Sequence, residues 1–193
     1  MENKYNILNE DIFVYDVRND NYETLKKYFS RFLTINEINE IESYKLEQDK
    51  ICRILSYSIP KIKLAKELNI NPCDIVIIRD KNKRPLYKDY NYYYSVSHTK
   101  NYLAFVLSKE NVGLDIEERV LRDFKAISYV SSEEEYNECK EPDDYYTLWT
   151  FKEAYAKLKG TGITKELNNI LTYKYKNKQT IYINHLVITL VKE

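Results

Sequence analysis

Asp115 and Glu117 stand two apart in the run Val112-Gly113-Leu114-Asp115-Ile116-Glu117. On an extended strand such residues share a face, so both carboxylates point one way while Leu114 and Ile116 enter a core. Two carboxylates on one face of an apolar strand repel each other and lose hydration. A hard divalent cation such as Mg²⁺ is the usual relief for ligands that are all oxygen. Gly113, just before them, would let a bulky ligand approach the backbone. A strand face carrying two solvated acids is the competing reading.

A second set lies further along. Glu153 and Lys157 are four apart in a strongly helical run and so share a helix face. A surface ion pair would explain them, but Trp149, the only tryptophan of the chain, lies one turn earlier on the same side. That stripe cannot be wholly solvated, and Lys152 adds an ammonium at its edge. A third carboxylate with adjacent lysines suits a metal-bridged polyphosphate site. The third piece is Tyr94-Ser95-Val96-Ser97-His98-Thr99 at a strand end. Hydroxyls, turn amides and an imidazole are all donors and could bind phosphate. A Ser97–His98 nucleophile pair is disfavoured because neighbours on a strand face opposite ways. The nearby turn Lys81-Asn82-Lys83-Arg84-Pro85 adds positive charge.

These residues sit in a chain of 193 residues with 30 Lys and Arg against 30 Asp and Glu. That length allows one domain or two small ones sharing a core. Zero net charge removes the broad case for a nucleic-acid or polybasic membrane binder. No run is long and apolar enough for a spanning helix, and residues 1–11 lack a secretory pattern, which reads as a soluble cytoplasmic protein. Cys52, Cys73 and Cys139 have no metal or redox spacing and read as reduced, inert thiols. Only three glycines occur, Gly113, Gly160 and Gly162, where average usage would give roughly 13. All three adjoin the candidate residues.

The elements that must position them follow from periodicity. Residues 11–17 alternate as a first strand, and 22–32 have helical spacing ending near Thr34, which can cap a second helix. That helix is expected to run on to Leu68, with Pro60 kinking or splitting it. Strands are expected at 74–79, 92–97, 102–108 and 111–116, with Lys109-Glu110 closing a hairpin between the last two. Helices follow at 121–130, at 132–140 with Ser132 as cap, and at 143–159 with Gly160 ending it. The tail from Ile170 to Val191 alternates as two or three antiparallel strands. Residues 1–108 and 109–193 thus repeat the order strand, helices, strands. The fold class expected is α+β, with two similar α+β halves in a pseudo-twofold arrangement and a ligand cleft between them.

Taken together, the pieces resemble the 4′-phosphopantetheinyl transferases of the larger single-chain, Sfp-like type. That family's hallmarks are a Lys-Pro turn, a Ser-His strand end, a Val-Gly-x-Asp-x-Glu strand and a Trp-x-x-Lys-Glu-x-x-x-Lys helix running into Gly-x-Gly. Here they read Lys83-Arg84-Pro85, Ser97-His98-Thr99, Val112 to Glu117, and Trp149 to Lys157 followed by Gly160 and Gly162. Order and spacing fit over residues 83–163. The resemblance implies transfer of the phosphopantetheine arm of coenzyme A to a serine of an apo acyl, peptidyl or aryl carrier protein, releasing 3′,5′-ADP.

Residue by residue, it implies Asp115, Glu117 and Glu153 as ligands of Mg²⁺ or Mn²⁺. Arg84, Ser97 and His98 would hold the adenosine 3′-phosphate, with Pro85 of the same turn also at the coenzyme A site, and Lys157 and Lys152 the transition-state charge. Glu153 is the first candidate for general base and Glu135, in Ser132-x-x-Glu135-Tyr136, the second. Where the family often carries basic residues on its first long helix, this chain has the acidic stretch 36–42, with Lys45 and Arg53 as substitutes. A carrier would dock near Leu121, Phe124, Ile127, Tyr129 and Val130, beside Arg119, Arg122 and Lys125. Both halves lie in one chain, so a monomer is expected. The alternatives are a coenzyme A-binding relative with weakened turnover and a Mg²⁺-dependent phosphohydrolase.

Overall fold

A computed structural model describes residues 2–82, 84–120 and 124–193. Two antiparallel sheets face each other. The first contains β1 (Glu2–Ile7), β2 (Glu10–Asp16), β5 (Tyr93–His98) and β6 (Tyr102–Ser108) in the order β1-β2-β6-β5. The second contains β7 (Val112–Glu118), β8 (Lys178–Ile183) and β9 (Leu186–Lys192) in the order β7-β9-β8. A small hairpin, β3 (Ile77–Arg79) with β4 (Pro85–Tyr87), lies apart. The strands of the first sheet all come from residues 1–108 and those of the second from 109–193.

Strand alternation builds the layers. Ile12, Val14, Ala104 and Val106 meet Leu114, Ile116, Ile188 and Leu190 in an apolar core between the sheets. The opposite face of the first sheet, with Phe13, Leu103 and Phe105, packs on helices α1 (Tyr22–Phe29), α2 (Ile35–Ser43) and α3 (Glu47–Leu68) through Tyr22, Ile41, Ile51 and Leu55. The opposite face of the second sheet takes α5 (Pro142–Lys159), which follows the short α4 (Glu133–Glu138). No helix among the described residues is long and apolar enough to cross a membrane. The three cysteines are unpaired; Cys52 and Cys139 are buried, which pushes each thiol up to about 11, and Cys73 is exposed.

Several sequence expectations change. β6 and β7 form no hairpin: residues 109–111 carry the chain from one sheet to the facing one, and β7 pairs with β9 instead. β1 precedes the expected first strand and pairs with it along its full length. The expected 74–79 strand shrinks to Ile77–Arg79, because Pro72–Asp74 forms a 3₁₀ turn capped by Asn71. α3 runs unbroken through Pro60, its buried face against the sheet outweighing one lost backbone bond, and the break falls at 44–46. Of the expected 121–130 helix, Lys125–Tyr129 is a 3₁₀ turn, and Leu121 and Arg122 lie outside the described residues. The tail expected to be strand from Ile170 instead forms a 3₁₀ turn at Thr172–Lys174, and its two strands begin only at Lys178, while the remaining boundaries hold closely. Thr34 and Ser132 each cap with a reciprocal Glu, and Gly160 ends α5 at φ 66 in the left-handed region.

α5 is secured from both sides. On the sheet side, a Cβ at Gly113 would come 1.9 Å from the Ala154 carbonyl oxygen and 2.6 Å from the Leu158 nitrogen. Gly113 therefore admits the helix backbone and not a ligand. On the far side, Lys152 is fully buried and donates to Glu135 Oε2 at 2.8 Å, Leu167 O at 3.0 Å and Ile170 O at 2.5 Å. Burial by itself raises the Glu135 pKa, but bonds from Lys152 and from the Thr172 amide at 2.6 Å outweigh it and hold the group lowered.

Gly113→Ala is expected to cost about 1–3 kcal/mol or more, since backbone atoms of α5 must retreat. A urea titration showing a loss under about 0.5 kcal/mol would contradict this packing. Lys152→Met should cost about 3–5 kcal/mol at neutral pH by leaving Glu135 buried and unpaired. Glu135 is depressed on folding, so its contribution is complete above its unfolded pKa of about 4.3 and fades as pH falls through the folded value. The stability gap between Lys152→Met and wild type should therefore narrow in acid. A gap constant from neutral to acid pH would show that the ion pair is not its source.

Candidate active site

The seam between the sheets brings β5 alongside β7. Ser95 Oγ accepts from the Leu114 amide at 3.0 Å, and Ser97 Oγ donates to Asp115 Oδ1 at 2.7 Å. β7 sends Gly113, Asp115 and Glu117 toward α5 while Val112, Leu114 and Ile116 enter the core. α5 answers with a stripe at i, i+4 and i+8. Trp149 Nε1 donates to Glu117 Oε1 at 2.7 Å, Glu153 follows, and Lys157 Nζ donates to Asp115 Oδ1 and Ser97 Oγ, each at 2.7 Å.

Ser95, Ser97, Asp115, Glu117, Glu153 and Lys157 form one wall of a cleft of about 540 Å³. The opposite wall comes from Arg53, Ser56 and Tyr57 on α3, spaced i, i+3, i+4, with Arg79 of β3. Gly160, Gly162 and Ile163 line its rim. The three carboxylates predicted from sequence, Asp115, Glu117 and Glu153, thus share one cavity. Burial first, then the charges of Asp115 and Glu117, raise Glu153 to about 7, with Lys157 opposing. His98 stands at the rim, where desolvation by the surrounding protein and the Lys157 ammonium lower its pKa.

The donor set fits a hard cation in chemistry. All three groups are carboxylates, their mutual repulsion is visible at Glu153, and Asp115 Oδ2 is buried with no hydrogen-bond partner. Among the described residues, however, no three acidic, His or Cys side chains converge as a ready ligand set. Lys157 stands on Asp115 and Trp149 on Glu117 instead.

Other predicted roles shift. Lys152 and Glu135 do not reach the cleft: they pair with each other on the far side of α5, about 100° round the helix from Glu153. Ser97 lines the cleft, but its hydroxyl is committed to Asp115, which removes it as a phosphate donor and also leaves His98 no serine to activate. Arg84 lines it as well, yet its guanidinium is held by Leu158 O at 2.7 Å, Val112 O at 3.3 Å and the Asn111 side chain. It ties the two halves together. Pro85 lies beside it on the cleft wall, and Lys83 lies outside the described residues. Of the two substitutes for missing basic residues, Arg53 faces the cleft, whereas Lys45 is exposed elsewhere.

Arg79, Ser56 and Tyr57 were not legible as site residues. A signal for Arg79 existed, since it pairs directly with Pro85 across the turn that carries Arg84. The acidic stretch on α2 turns out to be neutralised within the chain. Glu37 binds the buried Lys61 at 2.8 Å, Glu42 binds Lys50 at 2.9 Å and also Lys26, and Glu40 accepts from Tyr57 OH at 2.6 Å. Bonds from Lys26, Lys50 and Tyr22 bring Glu42 down to about 2.

The expected docking set is also largely internal. Ile127 and Val130 are buried, Phe124 stacks on Tyr145 at 4.8 Å, and Arg119 pairs with Asp143 at 3.0 Å. Tyr129 stays exposed.

Comparison with known proteins bears on this cleft. Residues 111–187 match the family model of the 4′-phosphopantetheinyl transferase superfamily, a span holding β7 and α5. The chain is 24% identical over 168 residues to the 4′-phosphopantetheinyl transferase gsp of Aneurinibacillus migulanus, covering 82% of this chain and 70% of that one. It is 30% identical over 112 residues to a putative 4′-phosphopantetheinyl transferase of Haemophilus influenzae, covering 53% and 47%. A putative enzyme of the same name from Synechocystis is 26% identical over 155 residues, covering 74% and 63%. The chain thus spans between 47% and 70% of the length of these relatives. Residues 111–187 thus match the 4′-phosphopantetheinyl transferase superfamily model, and the chain is similar over 82% of its length to an enzyme bearing that name.

Proposed function

We propose that this protein transfers the phosphopantetheine arm of coenzyme A to a serine hydroxyl of an apo carrier protein, leaving 3′,5′-ADP. The observation that carries the reading is the meeting of Asp115, Glu117, Glu153 and Lys157 with an arginine-bearing wall in one cleft. Such a cleft offers groups for two separated phosphates, as coenzyme A requires.

Arg53 and Arg79, with His98 at the rim, receive the adenosine 3′-phosphate in place of the absent basic residues of the first long helix. Tyr57 holds this wall, accepting from Arg79 at 3.1 Å while donating to Glu40. Asp115, Glu117 and Glu153 hold Mg²⁺ or Mn²⁺, which when bound neutralises charge on the pyrophosphate. Lys157 meets the phosphoryl oxygens as negative charge builds in the transition state. The serine oxygen attacks the phosphorus on the pantetheine side, the bond to the bridging oxygen breaks, and 3′,5′-ADP leaves with the electron pair. Glu153, on the cleft wall beside Asp115 and Glu117, takes the serine proton. One cleft is completed by one chain, so the monomer is the active unit. The carrier approaches past the exposed Ile163 and the glycines of the rim.

The test is intact-mass spectrometry of apo acyl, peptidyl and aryl carriers incubated with this protein, coenzyme A and Mg²⁺. A gain of one phosphopantetheine is expected, abolished by EDTA and reduced roughly 100- to 1,000-fold in Asp115→Ala. Arg53→Ala should raise the KM for coenzyme A by roughly ten- to a hundred-fold with little change in kcat. Tight coenzyme A binding without transfer to any carrier would overturn the reading in favour of a binding protein, and release of inorganic phosphate in favour of a hydrolase.

A further inference from the structure

Lys157 is already held by protein groups on the cleft wall. Its ammonium donates to Asp115 Oδ1 and to Ser97 Oγ, each at 2.7 Å, and Ser97 donates to the same carboxylate oxygen at 2.7 Å. Asp115 is only 3% exposed, so water cannot satisfy its charge, and its Oδ2 has no partner. A carboxylate in that position keeps its charge only beside a cation. Lys157 is differently placed. Its side chain is 30% exposed and lies on the cleft wall, on a four-carbon stem whose ammonium can turn without moving α5.

A divalent cation at the same carboxylate would meet a like charge within hydrogen-bond distance of its ligand oxygen. The two cannot both occupy that position at full strength. We infer that Lys157 is the resident counter-ion of Asp115 and competes with the divalent metal for it, so that metal binds well only when an anionic ligand draws the ammonium away.

This rests on the metal-dependent reading above and adds an order of events to it. The nucleotide-free protein holds metal weakly. Metal and polyphosphate ligand bind with positive coupling, and by linkage each tightens the other by the same factor. Ser97 remains on Asp115 throughout and keeps the carboxylate oriented while its cation changes. The exchange also explains why the three carboxylates line one cleft without converging.

The experiment is Mn²⁺ binding to the full chain, followed by the loss of the free-ion electron paramagnetic resonance signal, with and without coenzyme A. Without nucleotide, Lys157→Met should bind Mn²⁺ roughly tenfold tighter than wild type or more, the scale on which a neighbouring charge shifts a carboxylate's affinity for cations. Lys157→Arg, which keeps the charge, should stay near wild type. Coenzyme A should tighten Mn²⁺ binding to wild type by a similar factor and to Lys157→Met by much less. Circular dichroism establishes that each variant is folded, and the wild-type comparison with and without coenzyme A stands even if one is not. Equal or weaker Mn²⁺ binding by Lys157→Met, or wild-type binding indifferent to coenzyme A, overturns the competition while leaving the metal site intact. Absence of Mn²⁺ binding under every condition overturns both.

Discussion

A buried carboxylate at the seam of two sheets is the constraint on which the structure turns. Asp115 sits where β5, β7 and α5 meet, and it is met by Ser97 from the first half of the chain and Lys157 from the last long helix. A charge so enclosed must be compensated or it will not stay ionised. That requirement adds a polar tie among three elements that apolar packing and the Ser95–Leu114 bond already bring together. Gly113 sets how closely α5 can approach, and Arg84 ties residues 84, 111, 112 and 158 into one junction. The cleft is what remains open beside this junction.

The two lysines of α5 divide the labour in a way that burial makes plain. Lys152, fully enclosed with Glu135 and two backbone carbonyls, anchors the helix to the segment after it. Lys157, partly exposed and shared between Asp115 and Ser97, is the lysine able to change partners. An interior pair stripped of water is costly to break, whereas a half-open one can exchange its cation for another. The same logic explains α2. Its carboxylates neutralise Lys26, Lys50 and Lys61, while Glu40 braces Tyr57 and pairs with Arg53 at 3.6 Å, so the acidity of this helix is met within the chain, in part by the arginine wall itself.

Much of the site was legible in the sequence because it depends on local periodicity. The period of two in 112–117 put Asp115 and Glu117 on one face, and the period near four in α5 aligned Trp149, Glu153 and Lys157 with them. Local signals also located the caps at Thr34, Ser132 and Gly160. What periodicity cannot carry is which sheet a strand joins. The 109–111 link looked like a hairpin because both flanking runs are good strands, yet β9, some seventy residues on, is the true partner of β7. Side-chain commitments were equally hidden. Ser97, Arg84, Lys152 and Glu135 carry the right chemistry for a site, but contacts distant in sequence spend their donors and acceptors elsewhere. Arg79 reached the cleft only through the pairing of β3 with β4.

The central claim is that Asp115, now paired with Lys157, is the carboxylate around which metal and nucleotide assemble. A crystal of the protein grown with Mn²⁺ and coenzyme A, measured at the manganese edge, tests it most directly. The account predicts an anomalous peak bounded by the carboxylates of Asp115, Glu117 and Glu153, with the Lys157 ammonium withdrawn to a phosphate oxygen. Coenzyme A bound in the cleft with the Lys157–Asp115 contact intact and no manganese beside it would contradict the account.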